Sequence, residues 1–150
     1  MRLVIQRSLE ASVRIDGQVV GQIDRGLVVL VGVEEADSAE DADWLAAKTA
    51  AMRLFADAEG KMNLNVTEAG GRVLAISQFT LFASTKKGNR PGFTRAARPE
   101  KAVPLYEHFL ARLETELGAP VERGVFGADM QVALINDGPV TIVIDSRAKE

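Results

Sequence analysis

"GLVVLVGV" (26–33) is the longest apolar run in the chain, and its reading decides the fold. It is strand length, far below the roughly 18 residues that a membrane span needs. The run has no polar alternation, which predicts a strand covered on both faces. Before it, "RLVIQRS" (2–8) and "ASVRI" (11–15) read as strands. Asp16-Gly17 is a two-residue turn into "QVVGQI" (18–23), and "DRG" (24–26) turns into the central run.

After the run the pattern changes to helix. Ser38 is a good N-cap with Asp41 three residues on, close to a capping box. Residues 34–43 hold six acids and no base. Acids near a helix N-terminus are favoured by the helix dipole, which explains the run without a ligand. Leu45, Thr49 and Met52 line one face to about Arg53, with Trp44 beside them. Residues 54–66 read as strand, turn at Glu59-Gly60, and strand, and "RVLAISQFTLFA" (72–83) as a long strand after a turn at Gly70-Gly71. A second helix is expected from Pro99 to Leu117 with a stripe of Val103, Tyr106, Leu110, Leu113 and Leu117. Pro104 inside it should bend or restart the helix, His108 falls off the stripe toward solvent, and Gly118 fits the C-terminal cap. "VERGVF" (121–126) and a closing hairpin, "MQVALI" (130–135) and "VTIVID" (140–145), complete the pattern. The expected fold class is α+β, a mostly antiparallel or barrel-like sheet with two covering helices, in a single domain over residues 1–150.

Composition narrows function. The chain has 150 residues, 47% hydrophobic and 26% charged, ordinary for a globular protein. The N-terminus lacks the apolar core of a signal peptide, so a cytoplasmic location is expected. With no cysteine and one histidine, disulfides, thiolate nucleophiles and Cys- or His-clustered metal sites are ruled out, and no metal or cofactor is expected. A Ser-His-Asp triad would require His108, on the wrong side of its helix. Net charge is −3, yet residues 86–101 hold six bases and one acid. Lys86, Lys87, Arg90 and Arg95 therefore make either a solvated loop or a patch for phosphates.

Two short segments could carry chemistry. "SQFTL" (77–81) places Ser77, Gln78 and Thr80 at the end of an apolar strand. Polar side chains there either cap the strand or present a site. Ser77 and Thr80 can donate hydrogen bonds or attack, and main-chain N–H groups near Phe79 and Thr80 can hold an oxyanion. In "NDGPVT" (136–141), Asp137-Gly138 is an ordinary turn signal, but Pro139 cannot donate a ladder hydrogen bond.

Taken in order, "IQR…ASV" (5–13), "DAEGKMNLNV" (57–66), "SQFTLFA" (77–83), "RPGF" (90–93) and "FGADMQVALINDGPVT" (126–141) resemble the D-aminoacyl-tRNA deacylases of the bacterial and eukaryotic type. The resemblance covers essentially the whole chain. Gly92 departs from it, since the family more often has serine there.

The resemblance implies hydrolysis of the ester joining a D-amino acid to the 3′ end of tRNA, by a homodimer without cofactor, with tRNA rather than DNA or a membrane as partner. It also implies a cis Gly138–Pro139 bond that reaches into the partner subunit's site as a chiral filter. An X-Pro cis bond lies only about 0.5–1 kcal/mol above trans, so proline makes that geometry accessible. An L side chain would strike this backbone and a D side chain would not. Glycine has nothing to reject, so glycyl-tRNA, such as that mischarged on tRNA-Ala, is an expected misfire.

The attacking group stays open between Thr80 and the RNA's own 2′-hydroxyl, the latter favoured because the chain offers so little acid–base equipment. Phe126, Met130 and, more weakly, Ala102 match positions around the adenosine-side pocket, with core packing as the alternative. Two rivals remain: a module that binds RNA ends without catalysis, and a Thr80-dependent esterase of small molecules.

Overall fold

The computed structural model describes residues 1–150. Its strands are β1 (Arg2–Ile15), β2 (Gln18–Ile23), β3 (Gly26–Gly32), β4 (Phe55–Ala56), β5 (Met62–Leu64), β6 (Arg72–Ser77), β7 (Glu122–Arg123) and β8 (Gln131–Asp145), and its helices α1 (Ala39–Ala51) and α2 (Pro99–Leu117). The main sheet runs β2-β1-β3-β6-β7, with β8 also paired to β1. β4 and β5 form a separate ribbon.

β3 is covered on both faces, as its apolar run predicts. Leu27, Val29 and Val31 join Val73, Ala75, Leu45, Phe109, Leu110 and Leu113 in the core under the helices. Val28 points the other way, with Leu74, Ile76, Val13, Ala11 and Ile23. β1 is long enough to serve both layers. Its first half pairs with β3, and its second half, with β2, curls over the opposite face. The result is a nearly closed, barrel-like sheet with α1 and α2 packed together on one side.

The sheet is mostly antiparallel, as expected, with a parallel part at one side. β3 pairs with β6, and β6 with β7, in parallel. α1 lies between β3 and β6 in sequence and α2 between β6 and β7, and a helical crossover is what parallel neighbours require.

The closing hairpin is corrected. Both halves of residues 131–145 pair with β1, not with each other: Ala11 faces Leu134 and Arg2 faces Asp145. Between them, the five steps from Asn136 to Thr141 span the two from Ser8 to Gln6, so "NDGPV" is a bulge in one strand. Asn136 supplies the missing local partner: its Oδ1 accepts from the Val140 amide at 3.1 Å, and its Nδ2 donates to Thr141 Oγ1 at 3.1 Å.

Residues 72–83 also divide. The strand ends at Ser77, the Gln78 amide makes a last bond to Val31 O at 2.7 Å, and Phe79–Phe82 form a 3-10 turn. Gly32 permits this: a Cβ there would lie 3.0 Å from Leu81 Cβ and 3.1 Å from the Phe82 ring.

Both helices form where expected. The Ser38 amide donates to Asp41 Oδ2 at 2.8 Å, and Gly118 closes α2 with φ of 64°. Pro104 neither restarts nor ends α2, since it sits exposed within one continuous helix. Phe109, absent from the expected stripe, is fully buried, whereas Val103 and Leu117 are only half-buried. His108 is exposed, and its Nε2 lies 2.8 Å from Asp43 Oδ1 on α1. No helix is long and apolar enough to cross a membrane.

Candidate active site

Where β6 ends, the sheet opens into an apolar cavity of about 300 Å³. Val31 and Val33 of the β3 end, Ile76, Ser77, Gln78 and Phe79 of the β6 end, Ala97, Ala102 and Tyr106 at the start of α2, and residues 126–130 surround it. Cavities of this size and polarity are the usual form of a small-ligand site. Of the residues expected at the site, Ser77, Gln78, Phe79, Ala102, Phe126 and Met130 are brought together here.

The chemistry-bearing groups sit at its edge. Thr80 is exposed just beyond the lining, and its hydroxyl accepts a hydrogen bond from Gln78 Nε2. An amide N–H cannot take the hydroxyl's proton, so this partner orients Thr80 without activating it. The 3-10 turn closes with Leu81 N to Gln78 O at 3.3 Å and Ala83 N to Thr80 O at 3.0 Å. The amides of Phe79 and Thr80, which open the turn, have no acceptor within it.

Two lining residues were missed by the sequence reading. Tyr106 donates its hydroxyl to Ala75 O at 3.3 Å, and burial pushes its pKa up to about 12, so it is a fixed donor and not a base. Its ring lies 6.0 Å from that of Phe126. Its place in the core stripe of α2 hid this second role. Asp129 is the one carboxylate on the lining, and it is exposed. Its only signal was its position between Phe126 and Met130.

The basic loop folds back beside the cavity. Ser84 and Gly92 exchange main-chain bonds of 2.8 and 2.9 Å at its neck, and the Ala97 amide bonds Val33 O at 2.9 Å. Lys86, Lys87 and Arg90 are exposed around the tip. Arg95 is less free: its Nη2 lies 3.1 Å from Glu34 Oε2, and its guanidinium lies 5.4 Å from the centre of the Phe82 ring.

Gly138 and Pro139 do not line the cavity. Both are exposed, the bond between them is cis, and Gly138 has φ of 128°. Arg7 braces this bulge, with Nε 3.2 Å from both Asp137 O and Asp137 Oδ2 and Nη1 2.7 Å from Leu54 O. Arg7 aligns with Leu27, and Leu27 with Val73 near the start of β6. Ser77 is four residues further on, about 13 Å along the strand direction.

Fold and site together define a barrel-like α+β protein with an apolar pocket at a strand end, edged by main-chain donors, hydroxyls and a basic loop. The family model described as D-Tyr-tRNA(Tyr) deacylase matches residues 4–145, and the chain belongs to that family. It is similar to the D-aminoacyl-tRNA deacylases of Akkermansia muciniphila, at 63% identity, and Dechloromonas aromatica, at 61%, each over the full length of both chains. Among solved structures it is similar to a c-Myc DNA Unwinding Element Binding Protein, with a TM-score of 0.91 and 37% identity over 99% of this chain and 100% of that one. It also shares its fold with a probable eukaryotic D-amino acid tRNA deacylase, with a TM-score of 0.80 and 17% identity over 95% of this chain and 97% of that one.

Proposed function

We propose that this protein hydrolyses the ester of D-aminoacyl-tRNA, releasing the free D-amino acid and tRNA, and spares the L-ester. One observation carries the reading: a chain 63% identical along its whole length to a D-aminoacyl-tRNA deacylase has a pocket edged by the Phe79 and Thr80 amides.

The 3′-terminal adenosine enters the cavity against Ala102, Phe126 and Met130. The ester carbonyl points at the Phe79 and Thr80 amides. Water adds to the carbonyl carbon, the oxyanion is held by those two N–H groups, and the bond to the ribose 3′-oxygen breaks as that oxygen takes a proton. The 2′-hydroxyl of the same ribose is already placed to orient the water and pass the proton. Thr80 as nucleophile is the weaker alternative, because the one partner of its hydroxyl is a donor. Ser77 and Gln78 hold the turn that carries the amides. Lys86, Lys87 and Arg90 meet acceptor-end phosphates, with Arg95 shared between that task and Glu34.

The chiral filter is the main chain of Gly138 and Pro139 from a second copy. Their carbonyls accept from the substrate's ammonium, and an L side chain would collide with them. Two observations support a filter supplied by a partner: both residues are exposed, and they stand apart from their own chain's cavity. A filter made of backbone ignores side-chain identity and acts by exclusion. Glycyl-tRNA should therefore also be cleaved.

Matched D- and L-aminoacyl-tRNA, incubated with the protein, test this reading. Loss of the D-ester alone is expected. Release of neither would leave an RNA-end-binding module. Cleavage of simple esters lacking RNA would indicate a Thr80 esterase.

A further inference from the structure

The segment "RPGF" (90–93) ends in an aromatic ring that the reaction does not use. Phe93 follows the neck of the basic loop, where Ser84 and Gly92 pair. Its ring meets that of Phe79 edge-to-face, with centroids 5.0 Å apart and planes at 72°. Neither ring is buried: Phe79 is 56% exposed and Phe93 36%. Two large apolar rings held together in solvent are costly unless something covers them.

The surroundings say what that cover is. Phe79 lines the cavity, so the pair stands at its rim. From Ser84 to Arg98 the chain carries five bases and no acid. Aromatic faces beside a run of positive charge are the arrangement that holds single-stranded nucleic acid, with bases stacked on rings and phosphates met by cations.

We propose that Phe93, braced by Phe79, is a stacking platform for the unpaired nucleotide immediately 5′ of the esterified adenosine. The inference rests on the deacylase reading and extends it. The cavity takes the terminal nucleoside, the platform takes its neighbour, and Lys86, Lys87 and Arg90 take the phosphates further along. Phe93 thereby positions the RNA without touching the reacting atoms.

Steady-state rates of the wild-type protein, Phe93→Ala and Phe93→Trp are measured on D-aminoacyl-tRNA and on the D-aminoacyl ester of adenosine, which lacks the neighbouring nucleotide. The ratio of kcat/KM between the long and short substrates should fall about tenfold in Phe93→Ala, within the range for losing one stacked base, and recover in Phe93→Trp. The fall should lie in KM. Equal losses on both substrates would reduce Phe93 to a prop for Phe79 and overturn the proposal, as would no loss on either. A fluorescent purine at the neighbouring position of uncharged tRNA gives a second readout. Its emission should be quenched on binding wild type and not on binding Phe93→Ala. This signal does not depend on turnover, so it still decides the platform if the wild-type protein releases neither ester.

Discussion

In the proposed filter, Gly138 is the residue on which selectivity turns. Its φ of 128° lies where L side chains are rarely found, and a Cβ there would stand 2.9 Å from Val140 Cγ2 and 3.1 Å from Arg7 Nη2. Gly138→Ala should therefore shift the bulge and cut D-aminoacyl-tRNA deacylation at least about tenfold, since active-site displacements of an ångström cost on the order of 100-fold. Single-turnover assays with a folding check by circular dichroism would measure this, and wild-type rates would speak against the filter. At Thr80 the opposite is expected. Thr80→Ala removes a hydroxyl with no base to activate it, so most activity should remain. Complete loss with intact tRNA binding would instead make Thr80 the nucleophile. A tRNA ending in a 2′-deoxyribose, with the ester on the 3′-oxygen, should not turn over, and unchanged rates would refute assistance by the RNA.

At the level of elements, α2 both builds the core and shapes the site. Phe109 is fully buried beneath it, and Phe109→Ala should cost about 3–5 kcal/mol in denaturant unfolding. A loss below about 1 kcal/mol would mean the cavity collapses easily.

The same elements explain what the sequence could and could not tell. The apolar run of β3, the Ser38 cap and the Pro99-to-Gly118 helix were legible because each is a local pattern with a local cause. The hairpin reading of residues 130–145 failed because Asp-Gly signals a turn whichever strand the chain pairs with next. Only β1, more than a hundred residues away in sequence, decides that the turn is a bulge. The parallel pairing of β6 was hidden for the same reason. Ser77 and Gln78 were singled out as polar residues at a strand end and Ala102, Phe126 and Met130 by resemblance, and with Phe79 they lie on one cavity. Asp129 and Tyr106 carried no periodic signal that set them apart from surface and core.

Across the whole molecule, two carboxylates link stability to pH. Burial pushes Asp145 up, but bonds from the Arg147 amide and Arg2, with the Arg2 charge, outweigh it and hold the carboxyl below its ordinary 3.8. Burial likewise raises Asp41, and the Ser38 amide, Ser146 and Ser38 hydroxyls and the N-terminal charge more than reverse it. A depressed folded pKa contributes stability that is complete above the unfolded value and lost as pH falls through the folded one. Urea midpoints should thus hold from neutral pH to about 5 and drop below about 4, with a shallower drop in Asp145→Asn.

The central claim concerns two copies: the cavity of one chain is completed by Gly138 and Pro139 of the other. Mixing subunits tests it directly. Ala102→Leu fills the cavity and Gly138→Ala displaces the carbonyls that hold the substrate's ammonium, so each homodimer alone should keep no more than about a tenth of wild-type activity on D-aminoacyl-tRNA. In a two-fold dimer, a heterodimer of the two variants places both defects in one site and leaves the other intact. Co-refolding them in equal amounts should restore about a quarter of wild-type activity, since half the dimers then carry one good site of two. Activity no greater than the sum of the two parents would contradict the shared site.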